Sequence, residues 1–468
     1  MSTANLYEPI QQTKDTGIDH ALLRQRLAHL TADELLDVLD AQARLSRSVG
    51  DAGLNFEGRP YPVSLRPLPV TQQMSDSLAD IGERFVALFD TVARLYCSEA
   101  RVRDLFPAYR NMERYTLALP AMTPLVRICR LDGLFAADGR YQILETNTDC
   151  PGGVIQNALA AQIWARHDNP LTKGLALSVE SQPFVQDADM FLKELLAAHF
   201  QRTGETAQSA AVVTYKGRFT NEVERMVSGL NRLGVSAWTV DAAELKRSNG
   251  RLVDSHGRRI DVAYNKLDLR DLIDEPEIDG YLQATANGEV TFLNPLICQW
   301  PLADKAVLAL LSDPQYGHLL SAEERALCAK HIPWTRLLRA QTLSTDIHGE
   351  TTDLLTYAIR NRNGLILKPT NATRGEGVLI GCNMSQPEWE SALSLALRGG
   401  PHVLQQYIEA PKLLAPLPAT GEIQQMSSGV DVYVYGGRFA GFQARASLDP
   451  VMNVGKRGIL LPVATYQE

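Results

Sequence analysis

The first 115 residues carry leucines and other apolar side chains at helical spacing. The spacing is seen in HALLRQRLAHL, in ELLDVLDAQARL and in IGERFVALFDTVARLY, and it predicts amphipathic helices. Thr31, with Glu34 three positions later, predicts a capping box at the start of the second helix. The proline-rich stretch at 59–69 predicts an extended connector. We expect residues 1–115 to form a helical N-terminal region that provides, at most, a wall of a site.

Short runs of β-type residues replace this pattern from Leu125 onward. LVRICRLDGLF and YQILETN flank the turn sequence AADGR, and an Asp-Gly pair between two alternating runs predicts a hairpin. Successive side chains of a strand point to opposite faces. Two pairs of polar residues would therefore each share a face of the hairpin: Arg130 with Asp132, and Glu145 with Asn147.

Two further segments follow the hairpin. AAVVTY, an amphipathic helix ending at Gly234, and VSAWTV predict a parallel βαβ layer. The remaining chain predicts strands in LILKPTNATRGEGVLIG and HVLQQYIEA, and a hairpin in DVYVYGGRFAGFQARAS. The chain as a whole is therefore predicted to be α/β, in four segments: 1–115, 116–205, 206–293 and 294–468.

Composition and charge narrow the function classes. Apolar types make up 45% of 468 residues, which excludes a disordered or fibrous protein. The 46 basic and 54 acidic side chains give a net charge of −8, which argues against nucleic-acid or anionic-membrane partners. No run reaches the roughly 18 to 20 apolar residues of a membrane span, and the polar start shows no signal peptide. We expect a cytoplasmic protein that acts on small molecules, and the sequence allows a homodimer.

Cysteine, histidine and serine offer little chemistry. The six cysteines lie far apart without a CxxC pair, which predicts reduced, buried thiols. HExxH and GxSxG motifs are absent from the sequence. Cys150 would need an activating base to act as a nucleophile, and the sequence identifies none. A protein nucleophile is therefore not expected.

Oxygen and nitrogen groups on the first hairpin are the best candidates for chemistry. Asp132, Glu145 and Asn147 form a hard-oxygen set of the kind that Mg²⁺ prefers. Arg130 beside them would neutralise an anion. The alternative is a surface hairpin with an ordinary ion pair.

A lysine and a glycine-containing loop are the second candidate. Lys368 ends an apolar strand, and glycines allow the following main chain to approach phosphates closely. The loop offers Thr370, Asn371, Arg374, Gly375 and Gly377. It is neither a P-loop nor a GxGxxG fingerprint. A plain turn with a solvated lysine is an equal alternative.

Four segments together resemble the circularly permuted ATP-grasp ligases, in particular eukaryotic-type glutathione synthetases and the synthetase domain of glutathionylspermidine synthetase. They span Leu125 to Val463, and the helical N-terminus shows no match. The segments are RLDGLFAADGRYQILETNTDCPGG, DKAVLALLSD, LILKPTNATRGEGVLIG with VLQQYIE, and GRFAGFQARAS with VMNVGKRGILLPV. The resemblance implies an ATP-grasp fold with a pre-ATP-grasp-like βαβ layer.

The resemblance also implies roles for individual residues. Mg²⁺ ligands fall on Asp132, Glu145 and Asn147, and Arg130 is the arginine that stabilises the phosphorylated and tetrahedral intermediates. The remaining counterparts are Lys305 and Lys368 for the ATP phosphates, the loop 371–377 for the lid, Gln405, Gln406, Tyr407 and Ile408 for the hinge, Glu409 for the ribose, and Arg445 for the substrate. Taken alone, Lys305 would be a solvated helix-start lysine and the hinge an ordinary core strand.

The implied activity is an ADP-forming ligation of a carboxylate to an amine through an acylphosphate, with ATP and Mg²⁺. Asp149, Cys150 and Pro151 stand where glutathione synthetases carry substrate-binding serines, so glutathione is doubtful as substrate or product. No amidase pattern precedes the ligase segments. Candidates for binding a small acid in the βαβ layer are Lys216, Arg218, Asn221 and Arg270, although each alone is better explained as surface polarity.

Two other functions compete with the ligase. A catalytically silent nucleotide-binding module would keep the fold without the reaction. It would not need the complete set of metal and phosphate ligands. A dinucleotide-dependent oxidoreductase is disfavoured, because VVTYKGRFTNE has one glycine where a pyrophosphate loop needs several.

Overall fold

The N-terminal segment is mainly helical in the computed structural model of the protein. The structure describes residues 21–120, 122–217, 220–268, 272–273, 275–373, 375–452, 454 and 457–467. The predicted capping box is confirmed, since the Thr31 and Glu34 side chains each accept the other residue's backbone N–H. The elements are α1 (Ala21–Ala28), α2 (Ala32–Asp51), β1 (Asn55–Phe56), β2 (Arg59–Pro60), β3 (Leu68–Thr71), α3 (Gln72–Ser98), α4 (Ala100–Arg103) and α5 (Glu113–Thr116).

The predicted hairpin opens the second segment and is confirmed. Its two strands pair antiparallel, with an irregularity in the register between Asp132 and Gly133. An apolar helix and two further helices follow. The elements are β4 (Ile128–Phe135), β5 (Tyr141–Asn147), α6 (Gln156–Ala165), α7 (Pro183–Gln186) and α8 (Met190–Thr203).

The third segment contains the predicted parallel layer. The elements are β6 (Ser209–Thr214), α9 (Asn221–Arg232), β7 (Ser236–Asp241), β8 (Lys246–Ser248), β9 (Arg251–Val253), β10 (Val262–Asn265), α10 (Asp279–Ala286) and β11 (Thr291–Leu293). Four of these strands form a parallel sheet in the order β11-β10-β6-β7. Because α9 follows β6 along the chain, the helix starts at the carboxyl edge of this sheet. The Thr220 hydroxyl caps it there by accepting the Val223 N–H.

An antiparallel sheet with its own apolar core follows. Its order is β12-β17-β15-β16, and Trp334, Leu354, Trp389 and Leu393 are in the core beneath it. The elements are α11 (Leu296–Gln299), α12 (Ala306–Ser312), α13 (Ala322–His331), β12 (Thr335–Leu337), β13 (Leu343–Thr345), β14 (Thr351–Asp353), α14 (Leu354–Arg360), β15 (Leu365–Pro369), β16 (Leu379–Ile380), α15 (Gln386–Gly399) and β17 (His402–Gln406).

The last strands complete a large sheet that also contains the first hairpin. They are β18 (Lys412–Pro416), β19 (Ile423–Tyr435), β20 (Arg438–Ser447), β21 (Ile459–Leu461) and β22 (Val463–Tyr466). The order is β21-β20-β19-β4-β5, with β18 paired to the other part of β19. The predicted turn at Gly436-Gly437 joins β19 to β20. Strands from distant parts of the chain therefore share one sheet.

The proline-rich stretch at 59–69 differs from the prediction of a simple connector. Its chain is extended, but residues 61–70 are buried, and β3 pairs in parallel with β22. These residues can be buried because the pairing with β22 provides hydrogen-bond partners for backbone N–H and C=O groups that would otherwise need water. The stretch is thus part of the core between the helical segment and the large sheet.

The cysteine prediction is correct in part. All six cysteines are free, and Cys129, Cys298 and Cys328 are buried. Cys382 is exposed and Cys97 and Cys150 are half-buried, so the expectation of buried thiols is wrong for these three. Across the described part of the chain, no helix combines the length and apolar character needed to cross a membrane.

Candidate functional site

Three carboxylates lie side by side across the large sheet. Asp132 of β4 is opposite Glu145 of β5 in the strand register and opposite Asp431 of β19 on its other side. The sequence predicted the first two. Neighbouring carboxylates repel one another, so the arrangement requires nearby cations.

Asp132 is the most heavily contacted of the three. Arg130 donates to both of its oxygens, from Nε at 2.6 Å and Nη2 at 3.1 Å. Arg445 Nη2 donates at 2.7 Å, and Asn147 Nδ2 at 2.8 Å. Burial alone would raise the pKa of Asp132, but Arg130 and Arg445 lower it below its ordinary value. The structure therefore brings together the four predicted residues Arg130, Asp132, Asn147 and Arg445.

Lys305 neutralises Glu145, the carboxylate on β5. Its Nζ lies 2.8 Å from Glu145 Oε1 and donates to the Ala372 carbonyl at 2.6 Å. The Lys305 side chain is 5% exposed, so the reading of a solvated helix-start lysine is wrong. Burial alone would raise the pKa of Glu145, but Lys305 lowers it. The Lys305 backbone N–H donates to the Thr370 carbonyl at 2.9 Å, which ties the start of α12 to the loop after β15.

Lys368 is also buried rather than solvated, which removes the alternative of a plain turn with a solvated lysine. Its Nζ donates to Gln405 Oε1 at 2.6 Å and lies 3.5 Å from the Leu144 carbonyl. Burial lowers the pKa of Lys368 to about 8, and Lys305 contributes in the same direction. An ammonium group that is poorly solvated is well suited to donate a hydrogen bond to a phosphate oxygen as a new partner.

The loop after Lys368 combines buried and exposed positions. Thr370 is buried and Asn371 is exposed, and Arg374 lies outside the described residues. Gly375 and Gly377 have φ of 71° and 68°, in the left-handed region that favours glycine. A Cβ at Gly377 would lie 2.7 Å from the Pro369 ring. Glycine is therefore required here by backbone conformation and by space; whether the loop covers a nucleotide stays a prediction.

The predicted hinge joins the antiparallel sheet to the large sheet. Gln405 and Gln406 end β17, and Pro411, five positions after Gln406, directly precedes β18. The Tyr407 N–H donates to the Gly364 carbonyl at 2.8 Å. Tyr407 and Ile408 are half-buried and Glu409 is exposed. Gln405 holds Lys368, so at least one hinge residue acts on a phosphate-binding candidate.

Asp431 was missed by sequence reasoning. It is 0% exposed, and burial raises its pKa to about 7. Arg445 Nη2 donates to it at 2.8 Å. A signal was present, because Asp431 shares a face with Tyr433 and Tyr435 in the strand DVYVY and an aspartate on a buried face requires a partner.

Of the four candidates in the parallel layer, the structure describes Lys216 and Asn221. Lys216 is exposed, with its Nζ over the Tyr215 ring, and Asn221 Oδ1 accepts from Gln156. Arg218 and Arg270 lie outside the described residues. A different cation lies at this sheet edge: the Lys266 side chain is 9% exposed, and its Nζ lies 2.7 Å from Glu222.

Lys266 is linked to Arg130, and so to the group of charged residues around Asp132, through one short loop. Its Nζ donates to the Pro151 carbonyl at 3.0 Å, and Arg130 Nη1 donates to the carbonyl of the next residue, Gly152, at 3.3 Å. The loop that departs from the glutathione synthetase pattern therefore lies between Lys266 and Arg130. Lys266 could have been suspected from its position directly after a buried strand.

The three residues predicted as magnesium ligands carry oxygen atoms of the kind that Mg²⁺ prefers. Asp132, Glu145 and Asn147 provide two carboxylates and an amide, which suit a cation that retains several waters. Within the residues described, no three His, Cys, Asp or Glu side chains are grouped as metal ligands. Binding of a cation by Asp132 and Glu145 would require Arg130, Arg445 and Lys305 to move away from the carboxylate oxygens.

Comparison with known proteins gives one family match and one structure of similar fold. Residues 123–457 match the family described as glutathionylspermidine synthase preATP-grasp. A glutathione synthetase-like effector from Globodera pallida is 11% identical, with a TM-score of 0.56, over 92% of this chain and 97% of that chain. A candidate gamma-glutamylcysteine synthetase from Methylobacillus flagellatus KT is 12% identical, with a TM-score of 0.43, over 81% of this chain and 86% of that chain. Comparison with curated protein sequences gives no match.

Proposed function

Because this chain belongs to the glutathionylspermidine synthase preATP-grasp family, we propose that it is an ATP-dependent ligase that joins a carboxylate to an amine and releases ADP. Its α/β fold is of the ATP-grasp type. One observation carries the proposal: a group of four cations and three carboxylates, in part buried and in part half-buried, at the junction of two sheets. The group comprises Arg130, Lys305, Lys368, Arg445, Asp132, Glu145 and Asp431.

The cations account for the first step. A substrate carboxylate oxygen attacks the γ-phosphorus of ATP, the bond to the β-phosphate oxygen breaks, and ADP leaves with that electron pair. Charge spreads over the transferred phosphoryl oxygens, so positioning and electrostatic stabilisation supply most of the catalysis. Lys305 and Lys368 are assigned to the ATP phosphates, and Arg130 to the acylphosphate. No protein nucleophile is needed for this step.

The second step forms the amide. The amine attacks the acyl carbon, the carbon–oxygen bond to phosphate breaks, and phosphate leaves and takes up the proton that the nitrogen loses. Arg130 and Arg445 are assigned to the negative charge on the tetrahedral intermediate. The lid loop 371–377 would exclude water and so protect the acylphosphate.

Asp132, Glu145 and Asn147 would hold Mg²⁺. The ion would supply neutralisation of phosphate charge. Each of the two carboxylates is now paired with a protein cation. We infer that these cations pass from carboxylate to phosphate when nucleotide and metal bind, so the number of paired charges is preserved.

We propose amino acids or short peptides as acid substrates, bound between the loop 149–153 and the carboxyl edge of the parallel sheet. Ligands of open α/β sheets bind at this edge. The largely buried ion pair of Lys266 and Glu222 provides one positive and one negative group there. Such a pair suits the two ends of a zwitterion.

The test is a panel of amino acids, short peptides and polyamines in pairwise combination, with ADP release and product mass as readouts. A pair that yields ADP together with a product lighter by one water than the sum of its substrates supports the ligase. Glu145→Gln should abolish this release. Asp138→Asn is the matched control, because Asp138 is an exposed acid on the turn of the same hairpin.

Two results would contradict the proposal. ATP binding without ADP release across the panel would instead favour a silent nucleotide-binding module. Equal ADP release by wild type and Glu145→Gln would show that the metal assignment is wrong.

A further inference from the structure

Asp431 has less cationic support than its neighbour. Both Asp132 oxygens accept from Arg130, and Arg445 donates to Asp132 as well. Asp431 receives one hydrogen bond, from Arg445 to Oδ1, and among the described residues its Oδ2 has no hydrogen-bond partner. Asp431 is nevertheless fully buried. A buried carboxylate with one oxygen unsatisfied is costly, which calls for an explanation beyond stability.

Arg445 is shared between the two acids by a single nitrogen. Its Nη2 lies 2.7 Å from Asp132 Oδ2 and 2.8 Å from Asp431 Oδ1. Nη1 donates to the Met452 carbonyl at 3.1 Å. The guanidinium is therefore attached to β19 through Asp431 and to β4 through Asp132, and it can release one acid while keeping the other.

The proposed function requires such a release. A cation on Asp132 displaces the guanidinium groups that now occupy the Asp132 oxygens. A buried guanidinium without a carboxylate partner would destabilise the protein much more than the ion pair from which it was displaced. A second acid within reach removes that cost, and its competition for Nη2 also weakens the hold of Arg445 on Asp132.

We propose that Asp431 is a positioning residue that retains Arg445 when Asp132 turns to a divalent cation, and so sets the affinity of the site for that cation. The inference rests on the proposed function. Its alternative is structural: Asp431 neutralises Arg445 in the fold and has no influence on metal binding. The two differ in what a neutral residue at 431 does to the cation.

The test is Asp431→Asn, with Mn²⁺ as the probe in the presence of ATP and without other substrates. Free Mn²⁺ is followed by electron paramagnetic resonance against a matched titration of Mn²⁺ with ATP alone, because ATP also binds Mn²⁺; the difference reads binding to the protein rather than turnover. The variant should bind Mn²⁺ about tenfold more weakly, within the range of coupling between charged residues in contact. The Mg²⁺ concentration that gives half-maximal ADP release should rise in parallel.

Glu194→Gln is the matched control. Glu194 pairs with Arg127 at 2.5 Å, and their side chains are 15% and 7% exposed, so this ion pair is also largely shielded from water. Both variants should lower the midpoint of thermal unfolding, but only Asp431→Asn should weaken Mn²⁺ binding. Unchanged Mn²⁺ affinity in a folded Asp431→Asn would overturn the positioning role.

A double variant keeps the test decisive if Asp431→Asn does not fold. Removing both charges of a buried pair is far less disruptive than removing one. Arg445→Met and the double variant Asp431→Asn with Arg445→Met should bind Mn²⁺ equally, because Asp431 acts through Arg445. Weaker binding by the double variant would refute that route. Absence of Mn²⁺ and ATP binding by the wild type would instead overturn the proposed function itself.

Discussion

Lys368 provides a stability test of the cluster that needs no substrate. It is 8% exposed, and burial lowers its pKa from an ordinary 10.5 to about 8. Each unit of this difference in pKa corresponds to ~1.4 kcal/mol, so keeping Lys368 charged at neutral pH costs the folded state about 3 kcal/mol. Between pH 8 and 10.5 the unfolded chain keeps a proton that the folded chain has released. The contribution of Lys368 to the free energy of unfolding therefore rises with pH in this window and is constant below it.

The perturbation is Lys368→Met, which removes the titration. At pH 7 the variant avoids the cost of the charge but leaves Gln405 Oε1 without its donor, a loss of about 1 to 3 kcal/mol. The net change at pH 7 is therefore small. The informative quantity is the free energy of unfolding of the variant minus that of wild type, which should fall by about 2 to 3 kcal/mol between pH 7 and pH 10.

The assay is urea unfolding of both proteins at pH 7, 8, 9 and 10. Lys246→Met, a substitution at an exposed lysine of β8, is the control, and its difference from wild type should stay flat. A Lys368→Met difference that is constant within about 0.5 kcal/mol from pH 7 to 10 would refute the burial of a titrating lysine. Nucleotide binding gives a second reading, because phosphate favours the charged form: ATP affinity should fall above pH 8 in wild type.

Three further substitutions test local features. Gly133→Ala places a Cβ 2.5 Å from the Tyr141 ring and should cost about 1 to 3 kcal/mol in urea unfolding; a neutral result would mean that the strand irregularity at 133 is not as described. Gly377→Ala, with φ of 68° and a Cβ 2.7 Å from Pro369, should leave global stability within about 2 kcal/mol but slow ADP release, and equal release would argue against a lid. Thr31→Ala removes the capping box and should cost about 1 kcal/mol, measured by the same unfolding curves, with activity unchanged.

Local rules predicted the parts of the fold that local chemistry determines. The hairpin of β4 and β5 follows from alternation and an Asp-Gly turn within 20 residues, and so do the two same-face polar pairs that it carries. The parallel layer follows from one strand, one amphipathic helix and a second strand. These elements need no knowledge of distant partners.

Burial by distant partners could not be predicted in the same way. The local patterns of Lys305 and Lys368 allow solvated lysines. Partners far away in the sequence favour their burial: Glu145 and the Ala372 carbonyl for Lys305, and Gln405 for Lys368. Asp431 lay in an apolar strand whose neighbour was unknown until β19 was placed against β4. The proline-rich stretch at 59–69 is buried because β22 pairs with it from the other end of the sequence.

The order of strands in the large sheet has a consequence for how the chain is made. Asp132 and its partner Arg445 are 313 residues apart, so a chain emerging from the ribosome presents β4 with an unpaired edge until β19 has been synthesised. Contacts over such distances fold slowly, and an open strand edge invites pairing with other chains. The proposed nucleotide site, which includes Asp132 and Arg445, should thus be among the last features to form during synthesis. Its ability to bind ATP should serve as a reporter of completed folding, and truncation before residue 423 should yield a protein that depends on chaperones and lacks that ability.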